Sequence, residues 1–212
     1  PVPADLRDII NTVSSIARGY MENRDLNFYV SREELKNPYV MADELRIREV
    51  LLNIISNAVK FTKDGGTISF VAENCPGNDE HHVIVRYRIS DTGIGMSEEF
   101  AGHAFEMFSQ ENKTSRTQYE GTGLGLAIAK KITERLGGTI EIKSKKNCGT
   151  TVTMTIPFKT GVQNLMQYTE NVNTESTEDI PLEGLHALIA EDNELNLEIA
   201  KLMLEETGIC VE

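Results

Sequence analysis

The chain has 212 residues, of which 40% are hydrophobic and 25% are charged, and its formal net charge is −12. This balance is typical of a soluble globular protein and not of a disordered or membrane-spanning chain. Of the 33 acidic residues 12 lie in residues 161–212, but of the 21 basic residues one does, so residues 1–160 are nearly neutral. Because neither part carries the basic stripe of a nucleic-acid binder, we expect no nucleic-acid partner.

The cysteines and the apolar stretches indicate a cytoplasmic location. Cys75, Cys148 and Cys210 are widely separated and odd in number, which suits neither a disulfide framework nor a zinc site. No apolar stretch approaches the roughly 20 residues of a membrane helix, so we expect no membrane contact by this chain. The start at Pro1 has no signal peptide and suggests a piece of a longer protein, which could carry a membrane anchor upstream.

The first elements in chain order are two helices. Apolar residues recur at steps of three and four from Asp5 to Tyr20 and again from Asp43 to Phe61, with Asp43 as the expected N-cap of the second helix. Alternation and turn residues then predict further elements. We expect strands over 26–30, 67–73 and 83–90, a helix over 124–136, and strands over 139–143 and 150–158.

The order of these elements predicts the fold class. Strands grouped in hairpins imply antiparallel pairing, and helices on one side of such a sheet make two layers. We therefore predict an α/β two-layer sandwich over residues 1–160, with a mostly antiparallel sheet covered on one face by helices. Residues 161–184 are typical of an acidic polar linker. Within residues 185–212 we predict a strand over 185–190 and a helix over 194–206.

The second helix has a polar face opposite its apolar face. Glu49, Asn53, Asn57 and Lys60 fall within an arc of about 80°. Amide oxygens are hard neutral ligands suited to Mg2+, which takes further ligands from water and substrate phosphates, so Asn53 and Asn57 are candidate metal-binding residues. Lys60 could neutralise those phosphates. The alternative is an ordinary solvated helix face.

A second motif, Asp-Thr-Gly-Ile-Gly-Met, directly follows a predicted strand. Its aspartate stands at the end of the strand, and its glycines let the backbone approach a flat ligand closely. The carboxylate could accept a hydrogen bond from the exocyclic amine of adenine, whereas guanine presents a carbonyl there. The alternative is a tight turn without a ligand. The candidate nucleotide-binding residues of this motif are Asp91, Gly93, Ile94, Gly95 and Met96.

A third motif opens the helix predicted over 124–136, where unpaired N–H groups and the helix dipole suit phosphate oxygens. Residues 109–120 before it form a polar loop rather than a strand, and no acid follows at about 20 residues, which argues against a dinucleotide-binding fingerprint. The motif also lacks the Gly-Lys-Ser/Thr end of a Walker loop. Its candidate phosphate-binding residues are Gly121, Thr122, Gly123, Leu124, Gly125 and Leu126.

The segment between the second and third motifs contains Phe-Glu-Met-Phe, followed by two basic residues. Phe105 and Phe108 are more typical of a core than of nucleotide stacking. Lys113 and Arg116 could supply charge in a lid that closes over a polyphosphate.

In this order, the motifs resemble the N, G1, F and G2 boxes of sensor histidine kinases, over about residues 4–158. The resemblance implies the Bergerat ATP-binding fold of the GHKL superfamily, with ATP and Mg2+ as cofactors. It places Asn57 on the metal, Asp91 on the adenine amine, Phe108 and the glycine-rich lid at the nucleotide, and Thr150 or Thr151 near the adenine. Gyrase-like relatives have a water-activating glutamate at the position of Asn53. An amide cannot take up a proton near neutral pH, which favours transfer over hydrolysis.

Two features outside these motifs bear on the parent protein. None of the four histidines has the context of a phospho-acceptor, so we expect the acceptor upstream of Pro1, on a dimerising helical hairpin, and no autophosphorylation by this fragment alone. The sequence Leu-Ile-Ala-Glu-Asp-Asn at 188–193 resembles the start of a receiver domain, which implies a hybrid kinase and a receiver partner in the same or another chain. About 28 residues cannot bury a core alone, so we predict disorder or opportunistic packing there.

The leading hypothesis is the ATP-binding catalytic domain of a hybrid sensor histidine kinase in a two-component phosphorelay. One alternative is a non-catalytic, pseudokinase-like module that uses nucleotide as a switch or docks onto partners. Another is a protein serine kinase of the anti-sigma type, which the receiver-like tail disfavours.

Overall fold

The computed structural model describes residues 1–75, 82–111 and 122–160, together with residues 186–187, 201 and 210–211. The chain divides into two compact units, Pro1–Met166 and Gln167–Glu212. The elements of the first unit are β1 (Val2–Asp5), α1 (Leu6–Tyr20), β2 (Asn27–Ser31), β3 (Tyr39–Ala42), α2 (Glu44–Phe61), β4 (Thr67–Asn74), β5 (His82–Asp91), α3 (Glu98–His103), α4 (Gly125–Arg135), β6 (Thr139–Lys145) and β7 (Gly149–Lys159).

The strands of the first unit form one mostly antiparallel sheet. Its order is β1-β3-β7-β5-β4-β2, and β6 also pairs with β7. Strands β4 and β5 form one antiparallel hairpin and β6 and β7 another, as the alternation predicted. Strand β2 runs parallel to β4. In the described part of the chain the prediction of a mostly antiparallel sheet is thus confirmed.

One face of the sheet is buried beneath the helices, which confirms the two-layer sandwich. In β5, Val83, Val85, Tyr87 and Ile89 are buried, while the residues between them are half-buried. This alternation follows from the pleat, which sends successive side chains to opposite faces. The buried residues of β5 share one core with apolar residues of α1, α2 and α4, among them Ile9, Val13, Leu51, Ile55 and Ala129.

The helices begin and end at residues with the expected capping chemistry. The carboxylate of Asp43 accepts a hydrogen bond from the Arg46 backbone N–H at 3.1 Å, which confirms the predicted N-cap of α2. Asp5 caps α1 in the same way, through Arg7 N–H at 2.8 Å. Helix α4 ends before Gly137, whose φ of 76° is the left-handed conformation that a glycine adopts at little cost.

Three short elements were not predicted. Strands β1 and β3 have four residues each and pair with one another, so neither contains enough alternation to be detected. β1 also contains Pro3, which a strand at the edge of a sheet tolerates because no partner needs its missing N–H. Helix α3 has six residues, none of them buried, and Ser97 caps it.

In the second unit, β8 (His186–Ala187) and β9 (Cys210–Val211) pair in parallel. The strand predicted over 185–190 includes β8, and Lys201, inside the predicted helix 194–206, is helical. The rest of both elements, the linker 161–184 and the state of the tail as a whole lie outside the described residues. Over those parts that are described, no helix combines the length and apolarity needed to cross a bilayer.

Candidate functional site

The polar face of α2 lies against the start of α4. Asn53 and Asn57 are half-buried, whereas Ile54 and Ala58 on the other side belong to the core. A Cβ atom built on Gly125 would lie 3.4 Å from Asn53 Oδ1 and 3.8 Å from Asn57 Nδ2. The structure therefore brings the first motif to the third, with only the glycine backbone at the point of contact.

The side chains at this contact suit Mg2+ only together with an anionic ligand. No group of three or more His, Cys, Asp and Glu side chains that could hold a metal occurs in the described ranges. Asn53 and Asn57 are neutral oxygen donors, and Mg2+ commonly combines such ligands with water and nucleotide phosphates. The amides therefore fit a magnesium ion that arrives with a nucleotide, and they do not form a complete cage by themselves.

Lys60 lies on α2 one turn beyond Asn57 and is half-buried. Its ammonium group lies 5.2 Å from the centroid of the Phe61 ring. This cation–π attraction holds the Lys60 ammonium group beside the Phe61 ring. Lys60 is thus positioned at the same end of α2 as the amides, as its place in the predicted arc requires.

The second motif packs onto the last residue of α2. The Ile94 N–H donates a hydrogen bond to the Phe61 carbonyl at 3.2 Å. A Cβ atom at Gly93 would lie 2.4 Å from the same carbonyl oxygen, so no other residue fits without a shift of the backbone. Because Phe61 follows Asn57 by four residues, the Asp91 turn lies about one helical turn from the amide.

The Asp91 carboxylate stands at the end of β5 with one oxygen held in place. Its Oδ1 atom accepts hydrogen bonds from Gly93 N–H at 2.8 Å and Thr150 N–H at 3.3 Å. Its Oδ2 atom accepts none from the described residues. Burial raises the pKa of Asp91 above its ordinary value, and the two backbone N–H groups partly oppose that rise. The carboxylate is therefore oriented, with one oxygen left to accept from a ligand.

The β5–β7 register separates the two threonine candidates. Asp91 is opposite Thr150, and Ser90 is opposite Thr151. The Ser90 and Thr151 hydroxyl oxygens lie 2.9 Å apart. Since neighbouring residues of a strand project to opposite faces, Thr150 shares the face of Asp91 and Thr151 lies on the other. Of the two threonine candidates, the register thus brings Thr150, and not Thr151, to the face of Asp91.

The rest of the second motif rests on the turn between β6 and β7. Gly95 has a φ of 60°, and a Cβ atom there would lie 2.0 Å from the Lys145 carbonyl oxygen. The Asn147 N–H donates to the Ile94 carbonyl at 2.6 Å. The Met96 N–H donates to Ser144 Oγ at 2.8 Å. These contacts hold the loop against the hairpin.

Two residues of this arrangement were missed by the sequence analysis. Gly149 has a φ of 91°, and a Cβ atom there would lie 1.9 Å from the Asp91 carbonyl oxygen. Its position at the end of a tight hairpin turn could have indicated a glycine with a positive φ. Ser144 is an ordinary strand serine in the sequence, and nothing local marked it.

The structure corrects the core interpretation of Phe108. Its side chain is 67% exposed, and its φ of 63° is unusual for a residue other than glycine. The Phe108 N–H donates to the Gly123 carbonyl at 3.1 Å, and Gly123 has a φ of 70°. Phe105 is half-buried, with the Lys130 ammonium 5.7 Å from its ring centroid. The F-box backbone thus contacts the glycine motif while the Phe108 ring remains exposed.

The remaining glycine-motif residues lie at the start of α4. Thr122 is exposed, and Leu124 and Leu126 are half-buried. Leu124 is the N-cap, and its side chain makes no capping hydrogen bond to the N–H groups of the first turn. Such a helix start is suited to an anion. Gly121, Lys113 and Arg116 lie outside the described residues.

The family described as histidine kinase-, DNA gyrase B-, and HSP90-like ATPase matches residues 42–160. Similar curated proteins include the autoinducer 2 sensor kinase/phosphatase LuxQ of Vibrio parahaemolyticus, which is 33% identical over 94% of this chain and 23% of its own length. The sensory/regulatory protein RpfC of Xanthomonas campestris is 30% identical over 97% of this chain and 31% of its own length. This chain therefore spans about a quarter to a third of these relatives.

Two solved structures have the same fold. Full-length ShkA in complex with AMPPNP superposes with a TM-score of 0.65 at 25% identity, over 99% of this chain and 40% of that one. The catalytic domain of histidine kinase ThkA gives a TM-score of 0.59 at 28% identity, over 74% of this chain and 94% of that one.

Proposed function

This chain belongs to the histidine kinase-, DNA gyrase B- and HSP90-like ATPase family, and from that premise we propose that it is the ATP-Mg2+-binding catalytic domain of a hybrid sensor histidine kinase. The similarity to LuxQ and RpfC supports a sensor kinase, and the complex of ShkA with AMPPNP supports an adenosine nucleotide as ligand. In this proposal the domain positions the γ-phosphoryl group of ATP for transfer to a histidine elsewhere in the parent protein.

One observation carries the proposal: three motifs far apart in the sequence converge on the C-terminal half of α2. Asn53 faces Gly125 of the third motif, and Phe61 receives Gly93 and Ile94 of the second. A ligand that contacts all three motifs needs a chemical group suited to each motif. A purine amine suits Asp91, a metal-bound polyphosphate suits the amides, and phosphate oxygens suit the start of α4.

In this proposal each of these residues binds a different part of the nucleotide. Asp91 Oδ2 accepts from the adenine amine, Asn53 and Asn57 hold Mg2+ with Lys60 beside the phosphates, and the first turn of α4 binds phosphate oxygens. When bound, the ion would neutralise charge on the polyphosphate. Since the side chain at position 53 is an amide with no proton-accepting capacity near neutral pH, the chain offers no base there to activate water. The site favours transfer to a partner histidine over hydrolysis.

The proposed partners follow from this division. The acceptor histidine belongs to a dimerising helical hairpin, and the phosphoryl group then passes to a receiver domain. We assign residues 185–212 to the first part of such a receiver, which the parallel pairing of β8 and β9 supports. The proposed location is cytoplasmic, within a parent protein that carries any membrane anchor elsewhere.

Calorimetry of ATP binding tests the binding half of this proposal. We expect ATP to bind in the presence of Mg2+ and more weakly after chelation with EDTA. Asn57→Ala should remove most of that difference, while Asn11→Ala, an exposed amide on α1, should preserve it. ATP affinity that does not depend on Mg2+ in the wild-type chain would overturn the metal assignment.

Phosphoryl transfer needs a second assay. The chain is mixed with the helical hairpin of the parent protein and with labelled ATP, and acid-labile, base-stable phosphate on the hairpin is measured. We expect labelled phosphohistidine. ATP binding without any transfer would favour the nucleotide-switch alternative, and acid-stable phosphate would favour a serine kinase.

A further inference from the structure

Ser144 lies at a junction that the proposed binding scheme does not use. Its Oγ atom lies 2.8 Å from the Met96 backbone nitrogen, 3.1 Å from the Gly149 carbonyl oxygen and 2.9 Å from Thr150 Oγ1. Ser144 is opposite Thr150 in the β6–β7 register, and Thr150 is opposite Asp91 in the β5–β7 register. The three side chains therefore form a row across the ends of three strands.

The chemistry of these partners determines the direction of each hydrogen bond. A serine hydroxyl has one proton and two acceptor lone pairs. The Gly149 carbonyl oxygen can only accept, so it takes the Ser144 proton. The Met96 N–H can only donate, so it donates to one lone pair of the Ser144 oxygen. The second lone pair meets Thr150 Oγ1, which must then donate its own proton to Ser144.

This direction has a consequence for the ligand. Because the single hydroxyl proton of Thr150 is committed to Ser144, the threonine oxygen offers only lone pairs to any other group. Asp91 also offers only lone pairs, at its Oδ2 atom, and the Thr150 N–H already donates to Asp91 Oδ1 at 3.3 Å. The Asp91–Thr150 pair therefore presents two acceptors and no side-chain donor to a ligand. At position 6 of a purine, an exocyclic amine has two N–H donors for such a pair, whereas an oxo group is an acceptor that opposes both protein acceptors.

We propose that Ser144 is a specificity-determining residue, which selects the 6-amino edge of adenine against a 6-oxo edge by holding the Thr150 hydroxyl as an acceptor. Ser144 is a positioning residue, since it acts through Thr150. The inference rests on the proposed function, because it requires that the purine lies at Asp91. It adds a second determinant of base choice, one that acts through the polarity of a neutral hydroxyl.

The test compares dissociation constants for ATP and inosine triphosphate, which carries a 6-oxo group in place of the amine and an N1–H in place of the unprotonated N1. Because the N1 difference is the same for every variant, the change in preference between wild type and variant reports the contact at position 6. In Ser144→Ala the Thr150 proton is released and can turn to the 6-oxo group. We expect the preference for ATP over inosine triphosphate to fall by about fivefold or more, the scale of one neutral hydrogen bond. Ser144→Thr retains a hydroxyl and should preserve the wild-type preference to within about twofold.

Ser90→Ala is the matched control. It also deletes a strand-end hydroxyl with a threonine partner, but the Ser90–Thr151 pair lies on the opposite face of the sheet. The preference should not change in this variant. An equal loss in Ser90→Ala and Ser144→Ala would indicate a general loosening of the strand ends and would overturn the inference.

The remaining outcomes separate this inference from the proposed function. A wild-type chain that binds ATP, with a folded Ser144→Ala variant of unchanged preference, overturns the role of Ser144 alone. A wild-type chain that binds neither nucleotide overturns both. If Ser144→Ala does not fold, Thr150→Val removes the same acceptor with little change of shape, and an unchanged preference in that variant overturns the inference equally.

Discussion

The Thr150 backbone N–H donates a hydrogen bond to Asp91 Oδ1 at 3.3 Å, across 59 residues of sequence. This contact joins the end of β5 to the start of β7. Together with the bond from Gly93 N–H at 2.8 Å, it satisfies one carboxylate oxygen and leaves the other to a ligand. The site thus contains an acid that is oriented by backbone groups and held in a partly desolvated place.

Asp91→Asn should weaken ATP binding by about 10- to 100-fold, which corresponds to a charged hydrogen bond of roughly 1.5–3 kcal/mol. An asparagine side chain is isosteric, so its Oδ1 atom can still accept from Gly93 and Thr150 while the second position becomes an amine. Calorimetry measures the change. Asp64→Asn alters an exposed carboxylate paired with Arg24 and should leave the affinity unchanged. Unchanged affinity in Asp91→Asn would remove the carboxylate from the adenine role.

The same substitution should affect stability in the opposite direction. Burial raises the pKa of Asp91 in the folded chain above its ordinary 3.8. The folded state therefore binds more protons than the unfolded state above that pH, so the carboxylate lowers the free energy of unfolding as pH rises through the folded-state pKa. At lower pH, where Asp91 is protonated in both states, this effect is absent.

Denaturant unfolding of the wild type and Asp91→Asn from about pH 4 to about pH 7 tests this sign. Without nucleotide, the variant should gain stability relative to the wild type as pH increases, since asparagine has no charge to desolvate. A relative loss of stability with increasing pH would mean that the ionised carboxylate stabilises the folded chain.

Gly149→Ala should lower the free energy of unfolding by about 2 kcal/mol or more, because it combines a left-handed φ with a backbone clash. A Cβ atom there would lie 1.9 Å from the Asp91 carbonyl oxygen. Gly19→Ala, in the last turn of α1, meets no atom within 4 Å and should be neutral or stabilising. Thermal and denaturant unfolding measure both. Equal effects of the two substitutions would contradict the close approach at Gly149.

Tyr87→Phe should leave the free energy of unfolding unchanged or raise it by about 1 kcal/mol. The Tyr87 side chain is fully buried, and its hydroxyl has no hydrogen-bond partner among the described residues. Burial without a partner also raises the pKa of this phenol above its ordinary value, so it stays neutral. Tyr29→Phe, at a side chain that is 62% exposed, is the control for loss of a solvated hydroxyl. A clear loss of stability in Tyr87→Phe would indicate a partner for that hydroxyl.

The sequence alone identified the elements that depend on local patterns. Helices α1 and α2, the cap at Asp43 and the two hairpins follow from periodicity and turn chemistry within short windows. The two-layer α/β class followed from the order of these elements. The short strands β1 and β3 escaped detection because four residues contain too little alternation. The two strands pair with one another across more than 30 residues of sequence, which no local pattern reveals.

The sequence also predicted which side chains would carry the chemistry of the proposed site: the amides of α2, the aspartate at the end of β5 and the glycines before α4. Only the tertiary structure decided which neighbours they have. It placed Thr150, and not Thr151, on the face of Asp91 by strand register, left Phe108 exposed and placed the Ser144 hydroxyl between three partners. The physical reason is that a helical face or a capped turn is specified by residues a few positions apart, whereas a register aligns strands that are distant in the chain, and a shift of one residue would exchange the two faces.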